Sequence, residues 1–196
     1  MATDLSGIRS IKKNQQYWAV GQTVHTHFHI TPVDGAYAWI AYYSRGRFDN
    51  TVTATAKSTA TFPQAIVYNN RAELRFKHIS IGWKHYLKGR SNAEKRLNIY
   101  GMAGFGLLLG SVTNIHSANI DTANYMVPVS SGKSHFKRLT LDVGLGIEAP
   151  VGGDIYMYFE GRSYIPTTDY PSRYLLVNEN APFTVNASLG IRILLY

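Results

Sequence analysis

The chain closes on an unbroken two-residue alternation. Phe183, Val185, Ala187, Leu189, Ile191, Ile193 and Leu195 are apolar, and Thr184, Asn186, Ser188, Gly190 and Arg192 stand between them. Alternation with this period puts one set on each face of a β-strand. The segment, 181–196, is longer than the about five or six residues of an ordinary globular strand. It reaches the about 9–11 residues that a tilted strand needs to cross a bilayer. The chain stops on Tyr196, an aromatic.

The same pattern recurs upstream. Eight alternating segments can be marked, at 17–31, 36–45, 51–61, 71–87, 97–110, 138–149, 154–165 and 181–196. They predict an all-β fold, an eight-stranded antiparallel up-and-down barrel over residues 17–196, with residues 1–16 left outside it. An even number of strands returns both chain ends to one side. The connections then sort into 46–50, 88–96 and 150–153 on one side, and 32–35, 62–70, 111–137 and 166–180 on the other. In the fourth segment Leu74 and Phe76 fall out of phase with Ile79, Ile81 and Trp83, which predicts a β-bulge near Lys77.

Which face points inward decides the class of protein. No stretch approaches the roughly 18 consecutive apolar residues of a transmembrane helix, and there is no cysteine for a disulfide or thiolate site. Glycine (17) and tyrosine (14) are abundant, only 16% of all residues are charged, and the polar faces are rich in Gly and Tyr as well as charge. Asp142, Glu148, Glu160, Arg162 and Arg192 share those faces with mixed sign on neighbouring strands. Such a face suits a crowded interior, where charges must be paired, and leaves the apolar face for lipid. Tyr17, Trp18, Trp83, Tyr86 and Tyr196 are placed in one aromatic girdle at a lipid interface, and Tyr42, Tyr43, Tyr164, Tyr170 and Tyr174 form a less regular set. A soluble lipocalin-like carrier shows the same alternation with the faces exchanged, and is the alternative to exclude.

The terminal strand ending on an aromatic, the amphipathic strands before it and the long loops gathered on one side resemble the small eight-stranded outer-membrane β-barrels of the OmpA and OmpX type. The resemblance covers about residues 17–196 and rests on pattern, and Tyr196 stands out of step with Ile191, Ile193 and Leu195. It implies a transmembrane protein of the bacterial outer membrane, a porin-like fold at the cell surface. Its expected role is structural or surface interaction through loops 111–137 and 166–180, with no cofactor. A lipid-modifying enzyme is the alternative within the same group. Met1 to Gln16 lacks the apolar core of a secretory signal, so a mature form without its signal peptide is expected.

Candidate chemistry is sparse. Asp142, Glu148, Glu160, Arg162 and Arg192 form a predicted charge network in the lumen. His25, His27 and His29 alternate on one face of the first segment, and i, i+2 imidazoles can share a zinc or copper ion at about 2.0–2.1 Å. His25 and His29 lie about 13 Å apart along a strand, so a third ligand must come from elsewhere. His116-Ser117 and Ser134-His135 are the Ser/His neighbours, but adjacent strand residues face opposite ways, and no catalytic residue is assigned. Lys84, Lys88, Arg90, Lys95 and Arg96 gather near one connection. Lys133, Lys137 and Arg138 are candidate contacts for lipopolysaccharide phosphates. The formal charge of +8 fits anionic partners, outer-membrane lipid before nucleic acid, for which no motif is present. A closed barrel needs no partner at its edges, so a monomer is expected.

Overall fold

The computed structural model describes residues 1–11, 16–93, 95–167, 172–175 and 183–195, with Arg45 described in its backbone alone. Its strands are β1 (Ala2–Ser10), β2 (Trp18–His29), β3 (Asp34–Ala56), β4 (Ala65–Lys88), β5 (Asn98–His116), β6 (Tyr125–Met126), β7 (Gly132–Gly152), β8 (Ile155–Pro166) and β9 (Thr184–Ile193). Each long strand pairs antiparallel with the next, β1 pairs with both β2 and β9, and the sheet closes into a ring of eight. The two-residue β6 lies outside the ring, against the far end of β3.

Closure changes three of the sequence expectations. Residues 2–10 are not outside the barrel, because β1 is one of its staves. Its inward residues are Ala2, Asp4, Ser6, Ile8 and Ser10 and its outward ones Thr3, Leu5, Gly7 and Arg9. Both faces mix polar and apolar residues, so no periodic signal marks the segment. It is a strand because β2 and β9 each offer an edge that would otherwise stay unpaired. The second and third segments are one strand, β3, and no turn occurs at 46–50. The apparent interruption is a bulge between Tyr43 and Gly46, where β3 carries one extra residue opposite β4. One gain and one merger leave the count at eight.

The connections sort accordingly. Residues 30–33, 89–93, 95–97 and 153–154 lie on one side, together with Met1 and the end of β9, whose backbones bond at Met1 and Ile193 (2.8 Å). The connection at 32–35 therefore belongs with the short turns. Gly153 adopts a φ of 55° in the β7–β8 turn, a left-handed conformation that glycine takes at no steric cost. The opposite side carries 57–64 and 117–131, together with the end of β1, the start of β2, the end of β8 and the start of β9. The expected loop 111–137 shrinks to 117–131, because β5 and β7 stay paired up to Asn114 and Gly132. Much of 166–180, like Tyr170 and Tyr196, lies outside the described residues.

Alternation sets the two faces of the wall, and the polar residues are inside. Glu160 is fully buried and Glu148 is 1% exposed, whereas Phe105 and Leu145 are 68% and 64% exposed on the outer surface. The outer face of β4 runs apolar through Ile79, Ile81 and Trp83, while Leu74 and Phe76 point inward. No bulge sits at Lys77. The phase change is real, because the interior itself changes character along the axis. On the short-turn side it is polar. Toward the long side Tyr17, Phe48, Leu74, Phe76, Leu108, Val112 and Phe136 form an apolar plug. The rings of Tyr17 and Phe76 stack at 5.5 Å.

Glycine and tyrosine fit together on the inner wall. A side chain at Gly146 would collide with the Tyr100 ring, and at Gly82 or Gly104 with the Tyr37 hydroxyl. Bare backbone at these points gives the rings their space, which is how eight strands accommodate so many aromatic side chains.

Candidate functional site: a filled polar interior and a cationic rim

Near the short turns, Glu148 on β7 gathers groups from three other strands, β4, β5 and β9. Its carboxylate accepts hydrogen bonds from Tyr86 (2.8 Å), Asn98 (3.1 Å), Lys84 (3.3 Å) and Arg192 (2.9 and 3.1 Å). The Lys84 ammonium sits 3.5 Å from the Tyr100 ring centroid, and the Arg192 guanidinium 4.0 Å from that of Tyr156. Arg192 also donates to the Ser91 carbonyl at 2.8 Å, tying the 89–97 turn to the interior. Each ion is thus both paired and hydrogen-bonded, the condition for holding charge away from water. Lys84 is close in sequence to the cations of the turn but is buried. Its even-numbered place on β4 turns it inward, while Lys88, Arg90, Lys95 and Arg96 are exposed.

Further along the axis Arg162 pairs with Glu160 through Nε at 2.6 Å and lies 3.9 Å from the Trp39 ring centroid. Glu160 also accepts from Tyr100 at 2.9 Å. Asp142 and Arg162 stand one step diagonal, since Gly144 is opposite Arg162. Asp142 instead meets Thr140 (2.7 Å) and His78 (3.3 Å). Two separate clusters, around Glu148 and around Glu160, therefore hold four of the five predicted network residues. Asp4, His78 and Lys84 complete the interior set and were missed. Asp4 lies on the strand without a periodic signal, whereas His78 and Lys84 stand on the parity opposite Ile79, Ile81 and Trp83, a signal that places both inside.

His25, His27 and His29 do face inward, but the first two are links in a hydrogen-bonded chain and His29 meets His27 only edge-on, with ring centroids 6.2 Å apart. Tyr158 donates to Asp4 (2.9 Å), its hydroxyl is 2.6 Å from His25 Nε2, and His25 Nδ1 is 2.8 Å from His27 Nε2. Both nitrogens of His25 are thereby engaged within the protein. Among the described residues no group of three or more His, Cys, Asp or Glu is arranged to hold a metal ion. The Ser/His neighbours are not assembled either. The His116 ring is tilted against Tyr68 with centroids 4.7 Å apart, and His135 lies opposite Ser111, five residues away along β5 and so about 17 Å off.

An interior closed by ion pairs beneath an exterior of exposed apolar side chains is the reverse of a soluble barrel, and it excludes the lipocalin-like alternative. Solved structures agree. Neisserial surface protein A superposes with a TM-score of 0.61, over 98% of this chain and 94% of that one, at 11% identity. Ail, the attachment invasion locus protein of Yersinia pestis, crystallised with the heparin analogue sucrose octasulfate, gives 0.51 over 97% and 93% at 10% identity. This is the fold of the small eight-stranded outer-membrane β-barrels. No protein-family model and no curated protein sequence matches the chain.

In barrels of this kind short turns face the periplasm and longer loops the outside, which orients the wall. Trp18 lies at the outer end of the apolar belt and Trp83 near the inner end, so they belong to opposite girdles. Tyr17 and Tyr86 point inward and belong to neither. Trp83 Nε1 donates to Asp34 (3.0 Å), which His85 also contacts (2.8 Å). Above the belt β3, β4 and β5 continue as a sheet. From Tyr42 to the end of β3 is fourteen residues, or about 45 Å of strand. This extension has its own small core of Ala54, Tyr68, Ile120 and Tyr125. Of the three predicted phosphate contacts, Lys133 and Lys137 lie on the outer surface. Arg138 is 8% exposed and turns into the barrel, because successive strand residues face opposite sides.

Proposed function

We propose that this chain is a monomeric protein of the bacterial outer membrane that recognises an extracellular protein partner through the extension of β3, β4 and β5 and the loops 57–64 and 117–131. One observation carries the reading. The extension is ordered sheet with its own core, it contributes nothing to crossing the bilayer, and it exposes apolar side chains where no lipid covers them. Phe62 is 82% exposed, and Val67 on β4, Ile115 on β5 and Met126 on β6 are exposed as well. The charged residues of the same face neutralise one another, Arg47 with Glu73 at 3.1 Å and Arg71 with Asp49 at 2.9 Å. A surface of apolar residues among paired charges suits a protein contact.

Cells displaying the barrel should bind immobilised extracellular-matrix proteins. A variant in which 51–67 is replaced by an Asn-Gly turn should keep the heat-modifiable gel mobility of a folded barrel and lose that binding. Undiminished binding by the trimmed barrel would overturn the reading. Fractionation of the expressing cells tests the location, which requires recovery with the outer membrane.

A further inference from the structure

Where the apolar belt ends on the long-loop side, the outer surface of β4, β5 and β7 is hollowed. Arg75, Ser111 and His135 stand opposite one another across the three strands, and Lys77, Leu109 and Lys137 stand opposite one another two residues lower. The side chains on β4 and β7 are long and exposed, and those on β5 are short and half-buried. The result is a trough of about 410 Å³ with Tyr42 at one edge. Its walls lie two strand spacings apart, about 10 Å between backbones, a gap that two flexible ammonium groups can close onto a single phosphate. Ile79, Leu107 and Leu139 continue the surface downward as exposed apolar wall.

The charge here is unbalanced. Just above the trough Arg47 and Arg71 each have a carboxylate partner. Among the described residues no carboxylate forms an ion pair with Arg75, Lys77 or Lys137. Three unpaired cations and a histidine at the boundary between apolar wall and water match a ligand that is anionic at its head and apolar below. We propose that this trough binds the phosphorylated sugar headgroup of an outer-leaflet glycolipid of the lipid A type. Lys77 and Lys137 close on the phosphate through charge-assisted hydrogen bonds, Ser111 donates from the floor, and an acyl chain lies against Leu107, Ile79 and Leu139. The assignment rests on the outer-membrane orientation and not on the loop reading. Of the residues that sequence suggested for this role only Lys137 lines the trough. Arg75 and Lys77 come from a strand far away in the chain.

The purified barrel in detergent micelles should bind diphosphoryl lipid A, measured by native mass spectrometry, in preference to the same lipid dephosphorylated and to phosphatidylglycerol. Inorganic phosphate should not compete at millimolar concentration. The double variant Lys77→Gln/Lys137→Gln should weaken binding roughly ten- to thirtyfold, from about 1 kcal/mol per basic residue at a membrane surface. Arg47→Gln/Arg71→Gln, on paired charges, should change it less than threefold. Equal binding of dephosphorylated lipid A or of phosphatidylglycerol by the unaltered protein would overturn the assignment, whatever the variants do. So would equal losses in the two double variants. Trimming the extension leaves this trough in place, so the lipid result stands apart from the adhesion result.

Discussion

Glu148 offers the sharpest test of how the interior is held. Glu148→Gln preserves shape and one acceptor oxygen, but it turns the other oxygen into a donor facing donors. Lys84 and Arg192, both within 3.3 Å of the carboxylate, then remain buried without their counter-charge. Removing one partner of a buried ion pair costs about 3–5 kcal/mol. The Tyr86 and Asn98 bonds can persist to the remaining oxygen, so the expected loss is about 4 kcal/mol, near three decades in the unfolding equilibrium. Guanidinium unfolding in lipid vesicles, followed by tryptophan fluorescence and the unheated gel mobility, measures it. Adding Lys84→Met to Glu148→Gln removes one stranded cation, and should recover about 1–3 kcal/mol relative to additivity. A Glu148→Gln protein within about 1 kcal/mol of the parent, or strictly additive effects, would refute the argument that Glu148 compensates these two cations.

Three further outcomes follow from the same wall. Phe105→Arg, at mid-height on the lipid face, should destabilise the barrel in vesicles by about 2–4 kcal/mol, while Thr53→Arg on the extension should stay within about 0.5 kcal/mol. Parallel unfolding curves separate the two. Gly146→Ala should cost about 1–3 kcal/mol by overpacking, since its methyl would lie 2.6 Å from the Tyr100 hydroxyl oxygen. Gly161→Ala, with nothing within 4 Å of the new atom, should be close to neutral in the same assay. Deleting residues 2–10 removes the stave between β2 and β9. It should abolish the heat-modifiable band altogether, a result read directly from refolding gels.

The faces of β5, β7, β8 and β9 were legible in the chain because each carries four or more apolar residues on one parity. The closing strand alternates as its sequence predicts, with Asn186, Ser188 and Arg192 buried and Leu189, Ile191 and Ile193 exposed. Local parity also placed Asp142, Glu148, Glu160, Arg162 and Arg192 inside. It did not say which of them meet. Asp142 and Arg162 carry opposite charges one step apart, yet each has a nearer partner, His78 in one case and Glu160 in the other. Pairing across a barrel depends on how far each side chain reaches over the lumen, and no sequence spacing records that. The same limit hid the trough, whose cations lie some sixty residues apart on β4 and β7.

Period-two chemistry along single strands set the class of fold and turned the polar residues toward the axis, because alternation is a property of neighbouring residues. Closure belongs to the ring as a whole. Ala2–Ser10 has no face of its own to announce. It became a strand because two strong neighbours, β2 and β9, each presented a row of backbone donors and acceptors that had to be satisfied away from water. The direction of the Leu74 and Phe76 side chains was likewise settled by the barrel. Its interior is polar at one end and apolar at the other, so a change of phase in the sequence marks a change of surroundings and not a slip in the strand.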